Sequence, residues 1–231
     1  MTVAIKILSG GAMRSLMTEV VPLFERDSGN KVTIEFRLTS VLQKEIEAGA
    51  VFDVALLPRP ELEELARQGK IADGIADVAR STVGLAVRAG APKPDIATVE
   101  AFKRALLGAR SVAYSDGPSG AYIAELLKRL GIADEMKAKS SLTSRPVAEL
   151  VAAGEAEIGL QQIVAILPVK GADLVGPLPA ELQNVIVYAA GIAARTLAGT
   201  AQERAAARGM IGFMATPAVA AVIRAKGMEP G

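Results

Sequence analysis

Two Ser-Gly turns, each between a short apolar strand and an amphipathic helix, are the stretches of this sequence best suited to bind an anion. The first, Ser9-Gly10-Gly11-Ala12, follows the apolar run 3–8. The second, Ser119-Gly120, follows a strand predicted at 111–114. Turns of this kind leave backbone N–H groups pointing outward, and the helix dipole adds to their attraction for an anion. A strand-to-helix turn without a ligand is the alternative for each stretch.

Further polar side chains stand where two predicted strands end. Thr39 and Ser40 follow one of these strands, and Gln161 and Gln162 follow the other. Because ligands of open α/β sheets gather at the carboxyl ends of strands, these four residues are candidate ligand donors. A plain helix N-cap is the alternative for Thr39 and Ser40. Since adjacent residues face different ways, one of the two glutamines is the candidate for a structural role.

Two arginines lie close to these positions and suggest that the ligand carries negative charge. Arg14 is predicted in the first turn of the first helix, and Arg37 at the end of the second strand. A cation at a helix N-terminus opposes the dipole unless an anion lies there too, and a guanidinium binds carboxylates or phosphates through paired hydrogen bonds. A solvated surface arginine is the alternative for both. Arg59, between two prolines, and Arg145, before a proline, are weaker candidates.

The composition excludes several kinds of chemistry. The 231-residue chain has no Cys and no His, which removes thiol nucleophiles, Ser-His-Asp triads, imidazole bases and typical zinc sites. We therefore expect no cofactor and no metal. Near the second turn, only Tyr114, Asp116 and Tyr122 could carry a proton, and packing or capping is the alternative for each of them.

The net charge and the hydropathy of the chain bear on whether nucleic acid or a membrane is a binding partner. The net charge of +1 gives no overall field for nucleic acid. No apolar run approaches the roughly 18 residues that span a bilayer. We therefore expect no nucleic-acid partner and no membrane insertion, and no feature of the sequence requires an oligomer.

The order of the predicted elements indicates an α/β protein of two lobes, each a mostly parallel sheet flanked by helices. The first lobe is predicted to comprise residues 1–82 and 190–231, and the second residues 83–189. The chain would cross between them near 81–87 and 187–191. Because each lobe carries one Ser-Gly turn, we expect the ligand to bind in a cleft between the lobes.

The sequence resembles the molybdate-binding proteins of ABC importers over essentially its whole length. The motifs that carry the resemblance are the first Ser-Gly turn, the entry to the second strand at 29–33, Glu47–Val54, Gly154–Glu157 and Ala215–Val219. The resemblance implies a type II periplasmic-binding-protein fold, closure on an oxyanion and an ABC permease as a partner. Molybdate binders typically use neutral donors, including a Ser where this chain has Ala12 and another where it has Thr39. Gln162 stands at the position of a Tyr in that family.

These departures from the family pattern favour an organic acid over a tetrahedral metal oxyanion, because one hydroxyl is lost and Arg14 and Arg37 lie nearby. The leading hypothesis is a solute-binding protein that binds a small di- or tricarboxylate. Aconitate isomerases are related proteins on this fold, so a cofactor-free isomerase that shifts a double bond is an alternative. The second alternative is a molybdate- or tungstate-binding protein with altered ligand contacts. The expected location is periplasmic if a leader was removed, and cytoplasmic otherwise.

Overall fold

The computed structural model of the protein describes residues 2–72 and 74–231. The strands are β1 (Ala4–Gly10), β2 (Lys31–Arg37), β3 (Val54–Pro58), β4 (Ala76–Arg88), β5 (Val112–Ser115), β6 (Ser140–Thr143), β7 (Ile158–Gln162), β8 (Ala172–Pro177), β9 (Val185–Ile192) and β10 (Glu229–Pro230). The helices are α1 (Arg14–Ser28), α2 (Thr39–Glu47), α3 (Arg59–Arg67), α4 (Val99–Gly108), α5 (Pro118–Arg129), α6 (Ala133–Lys137), α7 (Val147–Ala153), α8 (Ile163–Ile166), α9 (Ala194–Ala198), α10 (Ala201–Met214) and α11 (Pro217–Ala225). Short 3-10 turns lie at Gly11–Met13 and Ala180–Leu182.

The chain divides into two compact units. Unit 1 comprises Met1–Arg80 and Ile186–Gly231, and unit 2 comprises Ser81–Val185. The chain passes from one unit to the other within β4 and again within β9. Both crossings predicted from the sequence, near 81–87 and 187–191, lie on these two strands.

In unit 1, β1 lies between two parallel partners, β2 on one side and β3 on the other. Ser9 lies opposite Phe36 of β2 and opposite Leu56 of β3. Beyond β3 the sheet continues with the antiparallel strand β9. The carboxyl ends of β1, β2 and β3 therefore share one edge of the sheet, which we call the unit 1 edge.

Helix α1 covers this sheet with an apolar face and ends at a glycine. Its buried side chains recur at helical spacing, and Phe24 contacts Phe213 of α10 with ring centroids 5.5 Å apart. Gly29 ends the helix in the left-handed conformation, with φ 71°, where a side chain would be strained.

In unit 2, β5 lies between two parallel partners, β6 and β7. Strand β4 runs antiparallel to both β7 and β8. The carboxyl ends of β5, β6 and β7 thus share one edge, which we call the unit 2 edge. The amino ends of β5 and β7 lie at the opposite edge, together with the carboxyl end of β4. The core between this sheet and its helices includes Leu85, Phe102, Leu106, Val112, Ile123, Leu126, Met136 and Leu160.

One sequence prediction of local structure is wrong. Thr39 and Ser40 do not cap α2: they form its first turn, and its N-cap is Leu38, without a side-chain hydrogen bond. Strand β4 begins at Ala76, before the predicted crossing near 81–87. Charged Asp77 and Arg80 interrupt the apolar pattern there.

None of the helices in residues 2–72 and 74–231 is by itself long and apolar enough to cross a membrane. Taken as a pair, α10 and α11 meet both criteria but are bent by 56°.

Candidate functional site

The first Ser-Gly turn lies at the unit 1 edge, directly after β1. Ser9 is completely buried, and its hydroxyl donates to the Gly10 carbonyl at 3.2 Å. Gly11–Met13 then forms a 3-10 turn that leads into α1. Within the described residues, no side chain caps either helix start. The unpaired N–H groups typical of a helix start therefore have no side-chain acceptor here.

The start of α2 lies beside this turn. A Cβ atom placed on Gly10 would be 3.4 Å from the hydroxyl oxygen of Thr39 and 3.9 Å from the carbonyl oxygen of Leu56. Gly10 also lies opposite Arg37 in the β1–β2 register. The structure thus brings together the turn, the Thr39 hydroxyl and a second helix N-terminus. Ser40, the next residue of α2, is exposed.

The two candidate arginines have different surroundings. Arg37 pairs with Glu35 at 2.9 Å and with Glu45 at 3.3 Å, so carboxylates of its own chain compensate its charge. Hydrogen bonds from Lys6 and Arg37 lower the pKa of Glu35. Arg14 is exposed and its guanidinium carbon lies 4.4 Å from the centroid of the Phe36 ring. It makes no ion pair with any residue in 2–72 or 74–231.

The second Ser-Gly turn is built differently. Ser119 and Gly120 lie inside the first turn of α5, whose N-cap is Gly117. The Ser119 side chain is buried, and its hydroxyl oxygen lies 3.1 Å from that of Ser115. A Cβ atom on Gly120 would be 1.4 Å from the carbonyl oxygen of Ser115. Glycine is required here because α5 approaches the end of β5 so closely.

Gln161 and Gln162 are the last two residues of β7 and reach the unit 2 edge. The Gln161 side-chain oxygen accepts a hydrogen bond from the Ala148 N–H, at 3.3 Å, in the first turn of α7. Gln161 therefore has a structural contact. Gln162 is buried, with 7% of its surface exposed, and its side chain faces the other way along the strand.

The weaker candidates are engaged in contacts within their own units. Arg59 pairs with Asp77 at 3.3 Å and with Glu63 at 3.5 Å. Arg145 binds both carboxylate oxygens of Glu155, at 2.7 and 3.1 Å, which raises the pKa of Arg145 and lowers that of Glu155.

The three candidate proton carriers of unit 2 also make structural contacts. The Tyr122 hydroxyl donates to the Leu182 carbonyl at 2.8 Å. Tyr114 packs against the core of unit 2. Asp116 is exposed, and its backbone N–H donates to the Thr143 carbonyl at 2.9 Å.

Glu61 is a candidate that the sequence analysis missed. It lies in the first turn of α3, at the unit 1 edge, where β3 ends. Burial raises its pKa, only partly offset by a hydrogen bond from its own N–H. In the described part of the chain it pairs with no cation, and no cluster of three or more His, Cys, Asp or Glu residues could hold a metal ion. Because an acidic residue in a first helical turn is common, no pattern in the sequence indicates that Glu61 is partly buried.

Comparison with known proteins places this geometry in context. The sequence profile of the family described as bacterial extracellular solute-binding protein matches residues 5–229. The chain is 32% identical to an aconitate isomerase from a Pseudomonas species over 232 residues, covering 97% of this chain and 87% of that protein. It is 24% identical to the molybdate-binding protein ModA of Escherichia coli K12 over 192 residues, covering 80% and 75%.

The fold is that of known binding proteins. The periplasmic molybdate-binding protein of Azotobacter vinelandii superimposes with a TM-score of 0.77 at 22% identity, covering 98% of this chain and 99% of that chain. At this identity the superposition shows the architecture and leaves the ligand to be argued from the side chains.

Proposed function

Because the chain belongs to the family of bacterial extracellular solute-binding proteins and has their two-lobed type II fold, we propose that it binds a small organic di- or tricarboxylate. In unit 1, the turn Ser9–Ala12, the Thr39 hydroxyl and Arg14 supply the donors. In unit 2, Ser119, the start of α5 and Gln162 supply the others. The observation that carries the proposal is Arg14, a cation beside the first turn that forms no ion pair with any described residue.

Arg14 is in a position that favours a carboxylate ligand. A positive charge in the first turn of α1 opposes the helix dipole, and an anion beside it removes that cost. Stacking on Phe36 orients the planar guanidinium and leaves its N–H edge available for paired hydrogen bonds. A charge-assisted hydrogen bond contributes about 1.5–3 kcal/mol, which corresponds to roughly a tenfold to hundredfold gain in affinity.

Exposed apolar side chains close to Thr39 in the sequence support an organic ligand. Leu38 is 71% exposed and Val41 is 39% exposed, and both lie within two residues of Thr39 at the unit 1 edge. The carbon skeleton of an organic acid can contact such side chains, whereas a metal oxyanion offers them only oxygen. Ala12, which carries no hydroxyl, is consistent with the same preference.

A thermal-shift panel tests this proposal. Citrate, cis-aconitate, trans-aconitate and succinate are compared with molybdate and sulfate at matched ionic strength. A bound carboxylate at about a hundred times its Kd should raise the melting temperature by roughly 5 °C or more. Stabilisation by micromolar molybdate, with none by any carboxylate, would overturn the proposal.

A second candidate function, isomerisation of aconitate, is favoured by the 32% identity with an aconitate isomerase. In such a reaction a base removes a proton from the CH2 carbon next to a carboxylate, and the double bond shifts. A proton is then returned to the former alkene carbon, so no oxidant or cofactor is consumed. N–H donors and Arg14 would stabilise the intermediate anion. Glu61, with its raised pKa, is our candidate proton carrier.

Proton NMR in deuterated water separates the two functions. Interconversion of cis- and trans-aconitate with deuterium incorporation, abolished in Glu61→Gln while binding remains, would establish the isomerase and the role of Glu61. Binding without interconversion or deuterium uptake would reject the isomerase and leave the binding function intact.

A role in transport requires a periplasmic location and a permease to receive the ligand. The family description, extracellular, supports a periplasmic location after removal of a leader, and the comparisons give no support to a cytoplasmic one. We propose an ABC permease as the partner of a monomeric binding protein. Uptake of labelled ligand by cells with and without the gene tests this role, because an isomerase alone would leave uptake unchanged.

A further inference from the structure

Unit 2 contains a cavity that is remote from the edge that carries Ser119 and Gln162. Its volume is about 690 Å³. The lining includes Ser111 and Ile158, at the amino ends of β5 and β7, and Arg88, at the carboxyl end of β4. Because β5 and β7 run parallel, this cavity lies at the sheet edge opposite the unit 2 edge. We call it the basal groove.

The basal groove is strongly cationic. Arg88, Lys93, Arg104 and Arg110 line it, and Glu157 is the one acidic residue in the lining. Glu157 is already engaged: its carboxylate accepts from the N–H and Nε of Arg110, at 2.9 and 3.0 Å, which lowers its pKa. The lining therefore has an excess of three positive charges.

The remaining three cations form no ion pair with a carboxylate among residues 2–72 and 74–231. Lys93 donates to the backbone carbonyl of Leu174 at 3.0 Å, which leaves its charge uncompensated. Arg88 and Arg104 form no ion pair with any residue in the described ranges, although other exposed arginines of the unit, such as Arg145, do. Like charges around one cavity repel each other, and a multiply charged anion removes that repulsion.

The groove also has an apolar floor. Ala91, Pro94 and Ala105 line it and are partly exposed, and the buried side chains of Val87 and Ile158 complete the lining. Its volume lies within the roughly 300–1,000 Å³ range of small-molecule sites and exceeds what a bare oxyanion needs. Apolar floor and cationic rim together match an anion with an organic body.

We propose that the basal groove binds an organic phosphate of two or three negative charges, about the size of a nucleoside diphosphate. Arg88 and Arg104 would bind phosphate oxygens through paired hydrogen bonds, and Lys93 would act as a point charge. The organic body would lie on the apolar floor. This site is independent of the carboxylate site proposed above, since the two lie at opposite edges.

The test uses ADP, pyrophosphate and inorganic phosphate as probes, with calorimetry and amide chemical-shift mapping on the full chain. We expect ADP to bind more tightly than pyrophosphate, to shift amides in 88–94, 104–111 and 154–158, and to weaken with added salt. The variant Arg88→Gln/Arg104→Gln should lose at least tenfold in ADP affinity. Arg208→Gln, the same change on exposed α10 of unit 1, should lose none.

Three results would overturn the proposal. The first is no binding of ADP or pyrophosphate at about 5 mM, a Kd too weak for a specific site. The second is ADP binding that the double variant retains. The third is a set of shifted amides confined to the edge of Ser119 and Gln162. Because both arginines are exposed, the double variant should fold, and its unfolding curve checks this.

Discussion

The guanidinium carbon of Arg14 lies 4.4 Å from the centroid of the Phe36 ring, so the cation in the first turn of α1 lies over an aromatic side chain of β2. Phe36 in turn lies opposite Ser9 in the β1–β2 register. Through this arrangement, a residue of the first helical turn and a residue of β2 place a positive charge at the unit 1 edge. Arg37, the neighbour of Phe36, pairs with Glu35 and Glu45 instead.

Arg14→Met should lower the affinity for tricarboxylates by about tenfold or more, because it removes a charge-assisted hydrogen bond from the guanidinium to a ligand carboxylate. Arg37→Met should have a smaller effect, since its charge is already paired. Calorimetry on both variants measures this. An equal or larger loss in Arg37→Met would contradict the distinction between the two arginines.

Gly120→Ala should destabilise the protein by more than about 3 kcal/mol, because its Cβ would overlap the Ser115 carbonyl oxygen at 1.4 Å. Gly10→Ala is the matched comparison. Its nearest neighbour is the Thr39 hydroxyl oxygen at 3.4 Å, and its φ of −59° suits alanine. It should change stability by less than about 1 kcal/mol and weaken ligand binding. Urea unfolding measures the stability of both variants. Equal losses of stability in Gly120→Ala and Gly10→Ala would contradict the prediction.

Glu61→Gln should stabilise the protein at neutral pH and have little effect at low pH. Burial raises the pKa of Glu61 above its ordinary value of 4.5, so the folded state holds the proton more tightly than the unfolded state. The resulting stability is fully present below pH 4.5 and is lost as the pH rises through the raised pKa. Melting temperatures of the wild type and the variant, measured from below pH 4.5 to pH 7, test whether the variant is the more stable protein at neutral pH. A variant less stable than the wild type at pH 7 would show that the carboxylate is stabilised by a partner.

Gln161→Ala should cost about 1 kcal/mol of stability, because the Ala148 N–H at the start of α7 loses its acceptor. Ligand affinity should stay within twofold of the wild type. A large loss of affinity without loss of stability would assign Gln161 to the ligand.

The sequence predicted the fold class and the family, and both are confirmed. The helices carry long apolar periodicities that end at clear signals, and α10 begins with a capping box of Thr200 and Glu203. Short polar elements such as β6 escaped prediction, since tertiary contacts rather than local pattern define them.

The candidate site was less accessible from the sequence. Spacing along the chain marks both turns, but it cannot show that α5 lies against the Ser115 carbonyl or that Glu61 is partly buried. One signal was available for Arg37: Glu35, two residues earlier on the same strand face, is placed to pair with it. The predicted ligand donors remain predictions until a ligand is bound.

Calorimetric titration with cis-aconitate, alone and against molybdate, is the most direct test of carboxylate binding. We predict a single site of micromolar affinity for the tricarboxylate, weakened in Arg14→Met and unaffected by excess molybdate. A site that binds molybdate, excludes cis-aconitate, citrate and succinate, and is unaffected by Arg14→Met would contradict the proposed function.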